Sequence, residues 1–239
     1  MDYSYILNTS VPQKEKLLAF GFSKAGDDFV LNKEIAGGQF YAEIKLSEKT
    51  LSADVFETAT NEKYVLFNVA SAQGAFVGQI RSEVQDVIEE IRSKCFISQD
   101  IKEKYVDFLH SYFHTFGDNP WVDVGAKMKC APANGRVKGL SEASLDRTYD
   151  TNIVYRCPNN KWFALIMQIK FKNLGFESDE PVWAVNLKAE NVESITDKKS
   201  IFPAYHMNKK YWITVLLTAV TDFEKLCELT KKSFALVQK

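Results

Sequence analysis

The second half of this chain sets cations beside aromatic rings: Arg156, Lys161-Trp162, Lys170-Phe171-Lys172 and Tyr205-His206-Met207-Asn208-Lys209-Lys210-Tyr211-Trp212. Lysine meets a phosphate as a point charge, and ring faces and an Asn amide can approach bases, so these residue types suit a nucleic acid. From Lys198 through Val220 there are four lysines and no acidic residue. The same pattern admits a plainer reading. Alternate residues of a strand face opposite sides, so Trp162, Phe171, Tyr211 and Ile213 also fit a core whose lysine neighbours form the wet face.

Other chemistries find less support. Glu103, Asp107, His110 and His114 share one stripe of a helix, and two imidazoles with a carboxylate are a possible zinc or nickel set. That stripe lies opposite the apolar one, which is where a solvated helix face belongs, so no metal and no cofactor are expected. There is no GxSxG elbow, no recognisable Cys-His setting and no pair of carboxylates in an apolar context. Neither GxGxxG nor GxxxxGK occurs, and Gly135-Arg136-Val137-Lys138-Gly139 does not follow a strand as a dinucleotide loop must. Binding without turnover is the expected class of activity.

The elements that must position these residues follow from composition and periodicity. In 239 residues, 46% hydrophobic and 26% charged with 11 Gly and 6 Pro, there is enough apolar surface for one sizeable core or two modest ones. Apolar runs such as Tyr211 to Val220 are too short to cross a bilayer, and Met1 to Leu18 lacks the basic lead and apolar stretch of a signal peptide. Cys95, Cys130, Cys157 and Cys227 are scattered without a CxxC pair, so reduced thiols and a cytoplasmic setting are expected. The net charge of −1 hides an asymmetry. Up to Val122 there are 12 Lys and Arg against 18 Asp and Glu, a balance of −6, whereas the remaining 18 basic and 13 acidic residues give +5. That excess admits a polyanionic partner without the strong basicity that would compel one.

Periodicity predicts an α+β protein of two small domains, each an antiparallel sheet flanked by helices, over residues 1–97 and 98–239. In the first, a helix over Pro12–Phe20 ends at Gly21, and short strands are expected at Phe29–Leu31, Phe40–Leu46, Leu51–Phe56 and Tyr64–Val69, with a hairpin turn at Gly37-Gly38. A helix with Ser82 and Gln85 as capping box carries Val84, Val87, Ile88, Ile91 and Cys95 on one stripe. In the second, Asp100 and Glu103 open a helix whose apolar residues run from Ile101 through Tyr105, Phe108, Leu109, Tyr112 and Phe113 to Phe116. An irregular basic loop is expected over 122–148, with Lys127, Lys129, Arg136, Lys138 and Arg147. Strands follow at Ile153–Tyr155, Trp162–Phe171, Val182–Leu187 and Tyr211–Leu217, with a turn at Asn159-Asn160, a short helix over Ala189–Thr196 and a final helix capped by Thr221 and Glu224. The two halves echo weakly, Phe40-Tyr41-Ala42 against Trp162-Phe163-Ala164 and Lys63-Tyr64-Val65 against Lys210-Tyr211-Trp212, though at different spacings.

Asn160-Lys161-Trp162-Phe163-Ala164-Leu165-Ile166-Met167, Val185-Asn186-Leu187-Lys188, and Phe202-Pro203-Ala204-Tyr205-His206-Met207-Asn208-Lys209-Lys210-Tyr211-Trp212-Ile213-Thr214-Val215 resemble signature segments of the MmcQ/YjbR family of small bacterial proteins. With Lys232-Ser233-Phe234, the resemblance covers about residues 150–237. Tyr64–Val69 and Gly74–Gly78 resemble an extra N-terminal domain of longer members. The resemblance implies an α+β domain with two hairpin wings, a double-wing arrangement related to CyaY-like folds and associated with DNA binding. It places Lys161, Lys209 and Lys210 on phosphates and His206 and Asn208 on the ligand or bracing their turn. The basic stretch between Trp121 and Thr148 departs from the shorter connection that the family pattern implies. The expected nucleic-acid-binding residues are therefore Arg156, Lys161, Trp162, Lys170, Lys172, His206, Asn208, Lys209, Lys210 and Trp212, in a DNA-binding protein of low sequence specificity. The alternative is a protein-interaction or chaperone-like module, in which the acidic first half and a sheet face take a polypeptide.

Overall fold

The computed structural model describes residues 1–115, 117 and 152–238, which divide into two units, Met1–Gln99 and Asp100–Lys239. The basic stretch 122–148, with Cys130, and Phe116 lie outside the described residues. Each unit sets antiparallel strands against helices, so the fold is α+β. Among the described residues no helix is long and apolar enough to cross a membrane.

In the first unit β1 (Ser10–Pro12) leads into α1 (Lys14–Phe20), which stops at Gly21 because that residue adopts φ +118°, open to glycine and strained for other residues. β2 (Ser23–Ala25), β3 (Asp28–Ile35), β4 (Phe40–Leu46) and β5 (Leu51–Glu57) then form a four-stranded meander. Its register sets Leu31, Ile44 and Ala53 in one row and Phe29, Leu46 and Leu51 in the next, all buried. α2 (Ala75–Cys95) packs on α1 and β3 and buries Val77, Ile80, Val84, Ile88 and Ile91 along one stripe, and β6 (Phe96–Ser98) returns to pair with β1.

Three expectations are corrected here. Tyr64–Val69, read as a strand, is a 3₁₀ turn over Val65–Asn68. Arg81 clasps it, donating to the carbonyls of Leu66, Phe67, Val69 and Ala72 at 2.7–3.3 Å. The helix read as starting at Ser82 begins at Ala75, so Ser82 and Gln85 lie inside it and cap nothing. The weak echo between the halves also fails at its second word, since Tyr64 precedes a 3₁₀ turn while Trp212 opens a strand.

The second unit opens with α3 (Lys102–Phe113), shorter than its apolar pattern, because His114 turns left-handed at φ +51°. β7 (Asn152–Arg156), β8 (Trp162–Lys170), β9 (Pro181–Lys188), β10 (Ile201–Pro203) and β11 (Trp212–Leu216) form one antiparallel sheet in the order β10-β11-β9-β8-β7. α4 (Val192–Ile195) separates β9 from β10, an edge strand that the sequence pattern missed, and α5 (Phe223–Gln238) ends the described chain. Its cap is Asp222 rather than Thr221: the Asp222 carboxylate accepts from the N–H groups of Glu224 and Lys225, while the Thr221 hydroxyl donates to Leu216 O. One face of the sheet, with Tyr155, Ala164, Ile166, Val185, Leu187, Ile213 and Val215, packs on Tyr105 and Leu109 of α3 and Leu226 and Leu229 of α5. The Tyr105 hydroxyl meets Thr230 Oγ1 at 2.8 Å inside that core. Gly117 passes so close to β7 that a Cβ there would stand 2.0 Å from Ile153 Cγ2.

Candidate nucleic-acid interface

Alternation along the strands decides which side chains share the opposite face. Tyr155, Leu187 and Ile213 point to the helices, so Arg156, Lys188 and Trp212 turn the other way. Trp212 pairs with Lys188 across β11 and β9, and Arg156 pairs with Trp162 across β7 and β8. The second pairing exists because the register slips between Tyr155 and Arg156, leaving Phe163 without a partner on β7. Phe163 turns into the helix-side core, 4.9 Å from the Phe113 ring and 5.1 Å from that of Phe234, and Trp162 is left beside Arg156. The Arg156 guanidinium stands 5.4 Å over the Trp162 ring. Arg156, Trp162, Lys188 and Trp212 thus form a row of two cross-strand cation–ring pairs, one step beyond the paired row of Tyr155, Ala164, Leu187 and Ile213, each residue half-buried.

The ends of this row are held by buried polar bonds. Ser233, fully buried on α5, donates to Phe163 O at 2.5 Å and accepts from Lys188 N at 2.8 Å, bridging β8 and β9 just past their last paired residues, Ala164 and Leu187. The turn Cys157–Lys161 is tied down by Asn159, whose amide donates to Val237 O at 2.9 Å and whose oxygen accepts from Lys161 N at 3.1 Å. On the other side, buried Asn186 and Thr214 pair in register and bond at 2.6 Å. Together they hold the backbone of Tyr205, Thr214 Oγ1 accepting from its N–H and Asn186 donating to its carbonyl. The loop 204–211 is thereby fixed over the face beside Trp212.

Within that loop His206 takes a left-handed conformation, φ +59°, with its ring 3.9 Å from that of Tyr205. Asn208 braces the turn, its side chain accepting from Lys210 N at 2.9 Å and its carbonyl from Tyr211 N at 3.0 Å. Lys209 and His206 border an open cavity of about 440 Å³ that Lys172 lines from the turn after β8. Lys161, Lys188, Lys209 and Lys210 pair with no carboxylate among the described residues. Lys170 and Lys172 do: both contact Asp179, at 3.1 and 2.5 Å, and their hydrogen bonds hold that carboxyl below the usual carboxylate range. Lys170 stands at the far end of β8 from Trp162.

The core alternative holds for some rings and not for others. Phe171 and Ile213 are fully buried and Tyr211 is 48% exposed, with Trp162 and Trp212 between these limits. Lys188 is absent from the residues the sequence singles out, because its place opposite Trp212 comes from cross-strand register. On α3, His110 faces Tyr155, whose hydroxyl lies 3.3 Å from its Nε2 and is pushed up to about 12 by burial, while His114 has left the helix. Among the described residues no three His, Cys, Asp or Glu side chains converge on a metal position.

The second unit is an α+β domain whose five-stranded antiparallel sheet packs one face on α3 and α5 and buries Leu165, Met167, Ala184, Asn186, Thr214 and Leu216 on the other. Residues 138–236 match the YjbR family model, within the second unit and spanning the whole row. The uncharacterised Bacillus subtilis (strain 168) protein YyaQ is 30% identical over 82 residues, 34% of this chain and 70% of its own length. The chain belongs to the YjbR family, with residues 1–99 as a further unit ahead of the matched region. A crystal structure of a Pseudomonas syringae protein is 29% identical, covering 56% of this chain and 97% of that one, with a TM-score of 0.43. For a Deinococcus radiodurans protein the values are 28%, 38%, 63% and 0.29.

Proposed function

We propose that this protein is a cytoplasmic, non-catalytic DNA-binding protein of low sequence specificity. The observation that carries this reading is the row Arg156, Trp162, Lys188 and Trp212, bordered on one side by Lys161 and on the other by Lys209 and Lys210. Lysines without a carboxylate partner give up no existing ion pair when they meet a phosphate, and phosphate contacts position a ligand without reading its sequence. The free thiols Cys95, Cys157 and Cys227 accord with a reducing compartment.

The test is fluorescence anisotropy of labelled DNA titrated with the full chain at two salt concentrations. Affinity should fall by roughly a thousandfold between about 50 and 200 mM salt if several phosphates are neutralised. Replacing Lys209 and Lys210 together by Ala should weaken binding alike for all sequences and make the salt slope shallower by about one to two units. An unchanged slope refutes the assignment of this loop.

A second reading has its own observation. On the first unit Val65, Leu66, Val69 and Phe76 are 64%, 48%, 38% and 41% exposed around the turn that Arg81 clasps, an apolar surface suited to a polypeptide partner. Binding to a polypeptide with little salt dependence, in the absence of DNA binding, favours that reading.

A further inference from the structure

The cavity of about 440 Å³ between the turn after β8 and the loop after β10 has a lining divided by chemistry. Leu174, Phe202 and Met207 make its apolar part, and Lys172, His206 and Lys209 bring nitrogen donors; no Asp or Glu lines it among the described residues. Its volume falls in the range of small-molecule sites, roughly 300–1,000 Å³. Both walls are held by bonds made without a ligand. On one, Lys172 N donates to Ser178 O at 2.8 Å, Phe171 N to Glu180 O at 3.1 Å and Lys170 N to the Asn173 side chain at 2.9 Å. On the other, Asn186 and Thr214 hold the N–H and the carbonyl of Tyr205. The Phe202 ring is buried, 6.0 Å from that of Phe176, which stands 5.7 Å from the fully buried Phe171. A cavity fixed in this way gives up little freedom when a ligand enters.

We propose that this cavity binds a small organic anion, its flat apolar body against Leu174, Phe202 and Met207 and its carboxylate or phosphate group between Lys172 and Lys209. The two lysines differ in what they offer. Lys172 divides its charge with Asp179, 2.5 Å away and outside the lining, whereas Lys209 meets no carboxylate among the described residues, so Lys209 is the principal cation. Ion pairs at an exposed rim contribute little by themselves, so burial of the apolar body supplies most of the affinity and the charged rim selects and orients the ligand. The site goes beyond the nucleic-acid reading and does not rest on it: a backbone phosphate alone would meet the lysines and leave the apolar part of the lining without a partner.

The experiment titrates the isotope-labelled full chain with naphthoate, naphthyl phosphate and neutral naphthol while its amide NMR signals are followed. Both anions should move the amides of residues 172–175 and 202–209 and bind with a Kd of about 1 mM or tighter, and naphthol should bind at least about tenfold more weakly. The tighter of the two anions identifies the charged group that the rim prefers. Lys209→Glu should weaken anion binding roughly 5- to 30-fold and Lys209→Arg should retain most of it, whereas Lys225→Glu, the same change of charge at an exposed residue outside the cavity, should leave it unaltered. The amides far from residue 209 report whether each variant keeps its fold. Naphthol binding as tightly as the anions, equal effects of the two Glu variants, or shifts confined to other residues overturns the proposal, as does the absence of any shift at about ten times the expected Kd. None of these results bears on DNA anisotropy, so this site and the nucleic-acid reading fail separately.

Discussion

Ser233→Ala should destabilise the second unit out of proportion to the single oxygen removed. The hydroxyl is fully buried and makes two bonds, 2.5 Å to Phe163 O and 2.8 Å from Lys188 N, where the direct pairing of β8 and β9 ends at Ala164 and Leu187. Removing it leaves a backbone carbonyl and a backbone N–H without partners in a place water does not reach. Each orphaned group costs about 1–2 kcal/mol, so the expected loss is about 2–4 kcal/mol. All four tryptophans of the chain lie beyond residue 120, so their fluorescence during urea unfolding reports on the second unit alone. At an m-value of about 2 kcal/mol/M the midpoint should drop by roughly 1–2 M with m unchanged. A drop worth less than about 0.5 kcal/mol would refute the argument, since it would mean that the two strands meet without the hydroxyl.

Gly117→Ala should cost about 1–3 kcal/mol in the same urea assay, because its Cβ would fall 2.0 Å from Ile153 Cγ2 and part of β7 must move aside. Asp197 accepts from the N–H groups of Lys199, Ser200 and Ile201 at 2.8 Å; burial pushes its carboxyl up, but these bonds outweigh it and hold the pKa below the usual carboxylate value. Its contribution is therefore full above the unfolded-state value of about 3.9 and is lost as pH falls through the lower folded value. Asp197→Asn should flatten the acid limb of the stability curve, and an identical limb in wild type and variant rules this out. In the first unit, Arg81→Met keeps the side-chain stem but removes all four carbonyl contacts, so limited proteolysis should cut within Val65–Ala72 faster than in the wild type.

Local periodicity made much of both units legible. Val84, Val87, Ile88, Ile91 and Cys95 are buried along α2 as their 3.6-residue spacing requires, and β3, β4 and β5 fall where alternating apolar residues and turn glycines put them. Asn160, at φ +66°, turns the β7–β8 hairpin as the Asn159-Asn160 pair suggests. The errors have a common origin. Tyr64–Val69 has the composition of a strand, yet Arg81 satisfies its carbonyls from a helix further along the chain, and the 3₁₀ turn is kept. β10 is too short to show a pattern, and it exists because β11 offers it a partner.

Fold class, family and the residue types of the candidate site were thus within reach of the sequence, since apolar spacing and long matching words are properties of the chain read in order. Which of those residues stand together was decided only by tertiary structure. Arg156, Trp162, Lys188 and Trp212 come from four strands, and their row depends on cross-strand register and on one bulge that re-aims Trp162. A shift of a single residue would turn any of these side chains to the helix side. Ser233, Asn186 and Thr214 prevent that shift through buried hydrogen bonds that span the sheet, and no periodicity in the chain encodes them.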